Sequence, residues 1–90
     1  MEIIFSNKAK KDLEFWSKSG NKSFIKKISE LLRAIVENPF EGIGKPEQLK
    51  HNLSGVWSRR INQEHRLVYE IVDEKTIEIL NIISLKGHYE

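Results

Sequence analysis

The sequence predicts an α+β fold in the order β-α-α-β-β-β, with an antiparallel sheet and two helices packed on one of its faces. Two observations carry this prediction. The first half of the chain holds two segments with helical periodicity, and the second half alternates three β-rich runs with short polar connections. Strands joined by such short connections pair antiparallel, and a sheet with one apolar face needs helices to cover it.

The chain begins with a short strand at residues 2–5. Ser6 or Asn7 can then accept a backbone N–H and start a helix. Ser19 and Gly20 break this helix. Its apolar residues fall at helical spacing and are Ala9, Leu13 and Trp16.

The second helix carries the wider apolar stripe. Asn21 is its predicted capping residue, and Asn38 ends it, because the residue before a proline is pushed out of the helical region. The stripe requires a core to face. Its members are Phe24, Ile28, Leu31, Leu32 and Ile35.

The remainder reads as a loop followed by three strands. Residues 40–55 contain breakers and mixed charge, and loops of this length inside compact domains usually carry function. Residues 62–65 and 73–75 are hairpin connections. The predicted strands are Val56 to Ile61, Leu67 to Val72, and Ile77 to Ser84 or Leu85.

Composition indicates one soluble domain spanning residues 1–90. Hydrophobic residues make up 39% of the chain and charged residues 31%, without low-complexity stretches. No cysteine is present, so neither disulfides nor a thiolate metal site is expected. The N-terminus does not resemble a signal peptide, and no apolar stretch is long enough to cross a membrane. We therefore expect a cytoplasmic protein with no membrane association.

The net charge of +2 is unevenly distributed. Between Gly42 and Tyr69, five basic residues face two acidic ones, whereas the last twenty residues carry a net charge of −2. This surplus suits contact with a polyanion, although a solvated basic surface is an equally good reading. The five basic residues are Lys45, Lys50, Arg59, Arg60 and Arg66.

Three residues have the chemistry that RNA cleavage without a metal needs. Such cleavage requires a base for the 2′-hydroxyl, cations for the phosphorane charge and an acid for the leaving 5′-oxygen. Glu47, Arg66 and His88 could fill these roles if the C-terminal tail folds back over the strand ends. Taken singly, they also fit a loop carboxylate, an edge-strand ion pair and a frayed tail. Trp57 fits a core position or a base-stacking surface.

Other sites are disfavoured. Residues 42–45 lack the spacing of a phosphate-binding P-loop, and a proline follows Lys45. His51, His65 and His88 have no ligand-like spacing. We therefore expect neither a metal nor a cofactor.

Four linked motifs allow a more specific prediction than composition does. They are residues 38–51 (NPFEGIGKPEQLKH), residues 53–61 (LSGVWSRRI), residues 64–69 (EHRLVY) and the terminal residues 88–89 (HY). Together they resemble the YoeB (Txe/YoeB) family of toxins within the RelE/ParE superfamily, over essentially the whole chain.

The resemblance implies a ribosome-dependent mRNA endonuclease that works in the ribosomal A site and is silenced by a YefM-type antitoxin. It implies the microbial-RNase-like α+β fold and allows a homodimer. It also implies Glu47 as general base, Arg66 as the arginine that stabilises the phosphate, and His88 as general acid. The supporting positions around the scissile phosphate and the A-site bases are matched by Lys50, Arg60 and Tyr89.

Two other functions fit parts of the sequence. A ParE-like inhibitor of DNA gyrase would share the fold, but it would need no acid–base set. A noncatalytic module that binds RNA or protein would need only the basic loop and Trp57. Arg59 and His51 also belong to the matched motifs, either as phosphate contacts or as surface charge.

Overall fold

The computed structural model describes residues 1–49 and 55–84, and it has the predicted α+β architecture. The predicted order of one strand, two helices and three strands is confirmed, with one short strand added before the last three. The elements are β1 (Glu2–Phe5), α1 (Asn7–Lys18), α2 (Lys22–Glu37), β2 (Glu47–Gln48), β3 (Val56–Arg60), β4 (His65–Asp73) and β5 (Thr76–Ser84).

Both helices begin at capping residues that the sequence predicts. Ser6 Oγ accepts the backbone N–H of Ala9 at 3.0 Å, and Asn21 Oδ1 accepts that of Phe24 at 3.1 Å. These side chains satisfy N–H groups that the first turn of a helix leaves without an intrahelical acceptor. At the other end of α2, Asn38 is already extended, as expected for the residue before a proline.

The five described strands form one sheet in the order β1-β5-β4-β3-β2. The last three strands, β3 to β5, form the predicted antiparallel meander. Strand β1 instead lies parallel to β5, so the sheet is mixed rather than antiparallel throughout. Strands β1 and β2 thus occupy the two outer edges of the described sheet, beside β5 and β3 respectively. Parallel pairing needs a long crossover between strands, and the intervening chain supplies it.

Residues 40–55, predicted as a loop, contain the two-residue strand β2. Glu47 pairs with Ser58 of β3, and the next residue pairs with Trp57. So short a strand shows no alternation of apolar and polar residues that the sequence could reveal. Its presence means that Glu47 belongs to the sheet and is not in an irregular loop.

Both helices pack on one face of the sheet, as predicted. Trp16 of α1 and Phe24 of α2 stack with their ring centroids 4.0 Å apart, which joins the two helices. Neither helix in the described segments is long and apolar enough to cross a membrane. The buried core cluster contains Ala9, Phe24, Ile28, Leu31, Ile35, Ile61, Leu67, Tyr69, Ile77, Ile79 and Ile82.

The opposite face of the sheet, which we call the second face, carries Glu47, Ser58, Arg60, Arg66 and Val68. Their orientation follows from the strand register, because cross-strand partners lie on the same face. Glu47 pairs with Ser58, Ser58 pairs with Val68, and Arg60 pairs with Arg66. The residues that alternate with them on β3 and β4 therefore point towards the helices.

Gly44 lies where a side chain would meet both strain and atoms. Its φ is +84°, and a Cβ there would lie 2.7 Å from Leu31 Cδ2 and 3.1 Å from the carbonyl oxygen of Arg60. We expect Gly44→Ala to lower the free energy of unfolding by about 2–4 kcal/mol, from backbone strain and overpacking together. Urea unfolding followed by circular dichroism measures this loss.

Gly20→Ala is the matched control, since φ there is +79° but nothing lies within 4 Å of the added Cβ. It should lose only about 1–2 kcal/mol, from the backbone alone. Equal losses in the free energy of unfolding at the two positions would show that the close approach of α2 and β3 to Gly44 adds nothing to the cost of the substitution.

Candidate active site

Two of the three predicted catalytic residues lie together on the second face. Arg66 is the second residue of β4, and Glu47 begins β2 at the edge of the sheet. Nη1 of Arg66 lies 3.7 Å from Oε2 of Glu47. The strand register across β3 therefore brings together a carboxylate and a guanidinium that are well separated in sequence.

The Glu47–Arg66 pair is loose and partly exposed. The side chain of Glu47 is 60% exposed and that of Arg66 is 21% exposed. Their separation exceeds the roughly 2.7–2.9 Å of a charge-assisted hydrogen bond. Exposed ion pairs contribute at most about 1 kcal/mol to stability. The pair therefore adds little to the fold, and both groups remain available to a ligand.

Arg66 is held by Ser58, a residue that the sequence analysis did not select. Nη1 of Arg66 donates a hydrogen bond of 3.0 Å to the buried Ser58 Oγ. Nε of Arg66 is also buried, and it has no hydrogen-bond partner among the described residues. A buried donor without an acceptor is destabilising, so this guanidinium has an unused capacity to bind one. Strand alternation could have found Ser58, because it lies two residues before Arg60 on the same face.

Arg60 adds a second cation to the second face. It is exposed, and it lies directly across from Arg66 in the register of β3 and β4. Like charges at directly opposed positions destabilise a sheet. They also create a local positive potential that attracts a polyanion. The two arginines and Glu47 thus form a small charged surface at one side of the sheet.

Arg59, the neighbour of Arg60, is buried, whereas the sequence analysis offered it as a phosphate contact or a surface charge. It is neither a surface charge nor part of the second face, because it is 0% exposed and points towards the helices. Its Nη2 donates to the carbonyl oxygens of Asn38 at 2.6 Å and Glu41 at 3.0 Å. Nη1 donates to the carbonyl oxygen of Ile43 at 3.1 Å. Arg59 therefore holds the segment that follows α2.

Tyr69 completes this buried polar cluster. Its hydroxyl accepts a hydrogen bond of 3.1 Å from Nε of Arg59 and donates one of 2.7 Å to the carbonyl oxygen of Pro39. Burial raises the pKa of Tyr69 above its ordinary value, although the hydrogen bond and charge of Arg59 act in the opposite direction. The hydroxyl consequently stays protonated at neutral pH and can keep donating to Pro39.

Trp57 and His65 also lie on the helix side of the sheet. Trp57 is half-buried, packs against the core cluster, and contacts Phe40 edge-on with centroids 5.3 Å apart. His65 contacts the rings of Trp16 and Phe24 edge-on at 4.9 and 5.3 Å. Of the two readings offered for Trp57, the core position is therefore the one observed.

Several predicted residues lie outside the described ranges. Lys50 and His51 fall between residue 49 and residue 55, while His88 and Tyr89 follow residue 84. Of the six predicted site residues, the structure thus places Glu47, Arg60 and Arg66. The roles of all six residues stay predictions.

These features define a small α+β protein that presents the Glu47 carboxylate beside Arg66 and Arg60 on the sheet face opposite its helices. Residues 5–89 match the family model described as the YoeB-like toxin of bacterial type II toxin–antitoxin systems. A Toxin YoeB from Synechocystis sp. is 49% identical over 90 residues, which is 100% of this chain and 99% of that relative.

Solved structures agree with this match. The YoeB dimer from Staphylococcus aureus is 48% identical with a TM-score of 0.82, over 99% of this chain and 98% of that one. The YoeB–YefM complex from Staphylococcus aureus is 49% identical with a TM-score of 0.81, over the same shares. The chain therefore belongs to the YoeB family of toxins of bacterial type II toxin–antitoxin systems, as its motifs predicted.

Proposed function

We propose that this toxin is a ribosome-dependent, metal-independent endoribonuclease that cleaves mRNA in the ribosomal A site and so inhibits translation. The observation that carries the proposal is the approach of Glu47 to Arg66, on the face that also presents Arg60. A proton acceptor and cations for the phosphorane charge are two of the three requirements of RNA cleavage without a metal. We propose that these groups act on one phosphodiester.

In the proposed reaction the Glu47 carboxylate takes the proton of the 2′-hydroxyl. The 2′-oxygen then attacks the phosphorus, the bond from phosphorus to the 5′-oxygen breaks, and His88 donates a proton to that leaving oxygen. The products are a 2′,3′-cyclic phosphate and a 5′-hydroxyl. The role of His88 is supported by the family resemblance, because this residue lies outside the described ranges.

The cations stabilise the charge that develops on the nonbridging oxygens. Arg66 is the principal one, since its buried Nε has no acceptor among the described residues and Ser58 fixes its orientation. Arg60 lies beside it and, with Lys50 and Tyr89, supports the scissile phosphate and the A-site bases.

Dependence on the ribosome fits the exposure of the site. The Glu47 side chain is 60% exposed, so the described residues leave the base open to water. Aligning a flexible mRNA for in-line attack is an entropic problem that can account for much of the barrier. We propose that the ribosome holds the mRNA bent and that the toxin adds the acid–base groups.

The test is cleavage by purified toxin of an mRNA held on purified ribosomes, with the new ends mapped by primer extension. We expect new ends in the A-site codon, fragments ending in a 2′,3′-cyclic phosphate, and far slower cleavage of the same mRNA without ribosomes. A lack of new ends would contradict the proposal. Inhibition of gyrase supercoiling in parallel would then favour the ParE-like alternative, and RNA binding alone would favour a noncatalytic module.

We further propose that a YefM-type antitoxin silences this toxin by covering the second face with acidic residues. The complex formed by the Staphylococcus aureus relative supports such a partner. A disordered partner segment that folds on binding suits this mode. Amide hydrogen exchange measured on the free antitoxin tests this mode, and protection of its amides before it is mixed with the toxin would contradict the proposal.

The relative's dimer supports a homodimer here. The mRNA substrate implies action in the cytoplasm.

A further inference from the structure

Arg59 is a buried charge without a carboxylate partner among the described residues. Within residues 1–49 and 55–84, the acceptors of its guanidinium are all neutral oxygens, namely three backbone carbonyls and the hydroxyl of Tyr69. Burying a charge is costly unless hydrogen bonds satisfy it, and an apolar residue often fills such a position with no loss of stability. The arrangement therefore calls for a reason beyond filling the core.

Three of the four hydrogen bonds donated by the Arg59 guanidinium go to one segment, residues 38–44, and the fourth goes to Tyr69. Arg59 holds three carbonyl oxygens of this segment, and Tyr69 holds a fourth, that of Pro39. The backbone N–H of Arg60 donates to the carbonyl oxygen of Gly44 at 2.6 Å. These five hydrogen bonds attach the segment to β3 and β4.

The attached segment leads directly to Glu47, which follows Gly44 by three residues. Strand β2 itself is only two residues long. Its end is marked by one further hydrogen bond of 2.9 Å, from the N–H of Leu49 to the carbonyl oxygen of Val56. A two-residue strand at a sheet edge is marginal by itself. The hydrogen bonds of Arg59 to the segment before β2 can supply the stabilisation that this short strand lacks.

We propose that Arg59 is a positioning residue that holds residues 38–44 against the sheet and thereby sets Glu47 beside Arg66. In this arrangement β3 serves two functions through alternate side chains. Ser58 orients Arg66 on the second face, and Arg59 fixes the approach to Glu47 from the other side. The inference rests on the proposed function, because it gives Glu47 a reaction to be positioned for.

The first test measures position without activity, by amide hydrogen exchange in Arg59→Lys and Tyr69→Phe. Lysine keeps the charge but cannot form the planar set of hydrogen bonds, and phenylalanine removes only the hydroxyl. We expect exchange at the amides of Leu49 and Arg60 to rise by at least about tenfold, with the β4–β5 amides unchanged as the internal control. Unchanged exchange at both amides would overturn the inference. If Arg59→Lys does not fold, Tyr69→Phe decides the matter.

The second test asks whether position matters for cleavage, through a double-mutant cycle with Glu47→Gln under single-turnover conditions on ribosomes. If Arg59 acts through Glu47, Arg59→Lys should slow the parent by at least about tenfold but slow Glu47→Gln by less than about twofold. An equal loss in both backgrounds would mean a general effect on the fold and would overturn the inference. If Glu47→Gln itself cleaves like the parent, the proposed role of Glu47 fails, while the exchange result still reports on placement.

Discussion

Replacing Arg66 with alanine should lower the rate of mRNA cleavage on ribosomes by about 10²–10³-fold, the loss that typically follows removal of one preorganised donor to developing charge. Ser58 tethers this guanidinium, and its buried Nε has no acceptor among the described residues. Hydrogen bonds to the phosphate should strengthen most as the phosphorane forms. The loss should therefore appear in kcat more than in KM, which primer extension at several ribosome concentrations separates.

The fold should tolerate the loss of Arg66. Its contact with Glu47 is loose and exposed, and its removal relieves the like charge of Arg60 across the strand. The free energy of unfolding should fall by no more than about 1–3 kcal/mol, the cost of leaving the buried Ser58 Oγ without its hydrogen bond from Arg66. Arg66→Lys keeps the charge without the planar donor set and should give an intermediate rate.

Arg33→Ala is the matched control for Arg66→Ala. It removes the same side chain from an exposed position on α2, and it should cleave at the parent rate. If Arg66→Ala cleaved as fast as Arg33→Ala, Arg66 would have no part in stabilising the phosphate.

Replacing Glu47 with glutamine should lower the cleavage rate by about 10²–10⁴-fold, the usual contribution of a general base. Glutamine has nearly the same size and can still place an oxygen near Nη1 of Arg66, but it cannot take the proton of the 2′-hydroxyl. Binding to ribosomes and the free energy of unfolding should consequently change little. The measurement is the rate at which 2′,3′-cyclic phosphate ends appear in a single turnover.

Glu41→Gln controls for the loss of one negative charge from the same part of the chain. Glu41 is exposed, and its contact with Arg59 uses the backbone carbonyl oxygen, which this substitution leaves in place. We expect cleavage at the parent rate. A comparable loss in both variants would assign the effect to the loss of one negative charge and would remove Glu47 from its role as base.

Much of the fold could be predicted because its signals are local. The apolar residues of α2 from Phe24 to Ile35 recur with the period of an α-helix, and only a helix places all of them on one face. The caps Ser6 and Asn21 act within three residues of their own positions. The antiparallel meander follows from short connections, which leave neighbouring strands no other way to pair.

The elements that escaped prediction depend on contacts between distant parts of the chain. Strand β1 lies parallel to β5 at one edge of the sheet, and β2 pairs with β3 at the other. Neither strand reveals its partner through its own residues. Pairing with an edge is a property of the assembled sheet.

The sequence by itself determined the family, the α+β class and the candidates Glu47, Arg66 and His88. Only the tertiary structure decided that Arg59 is buried while Arg60 faces outwards, and that Ser58 lies between Glu47 and Arg66. Alternation along β3 requires adjacent arginines to point to opposite faces, but which face meets the helices depends on strand register. Register is set by the packing of the whole sheet, and that is the physical reason why these contacts could not be read from the chain alone.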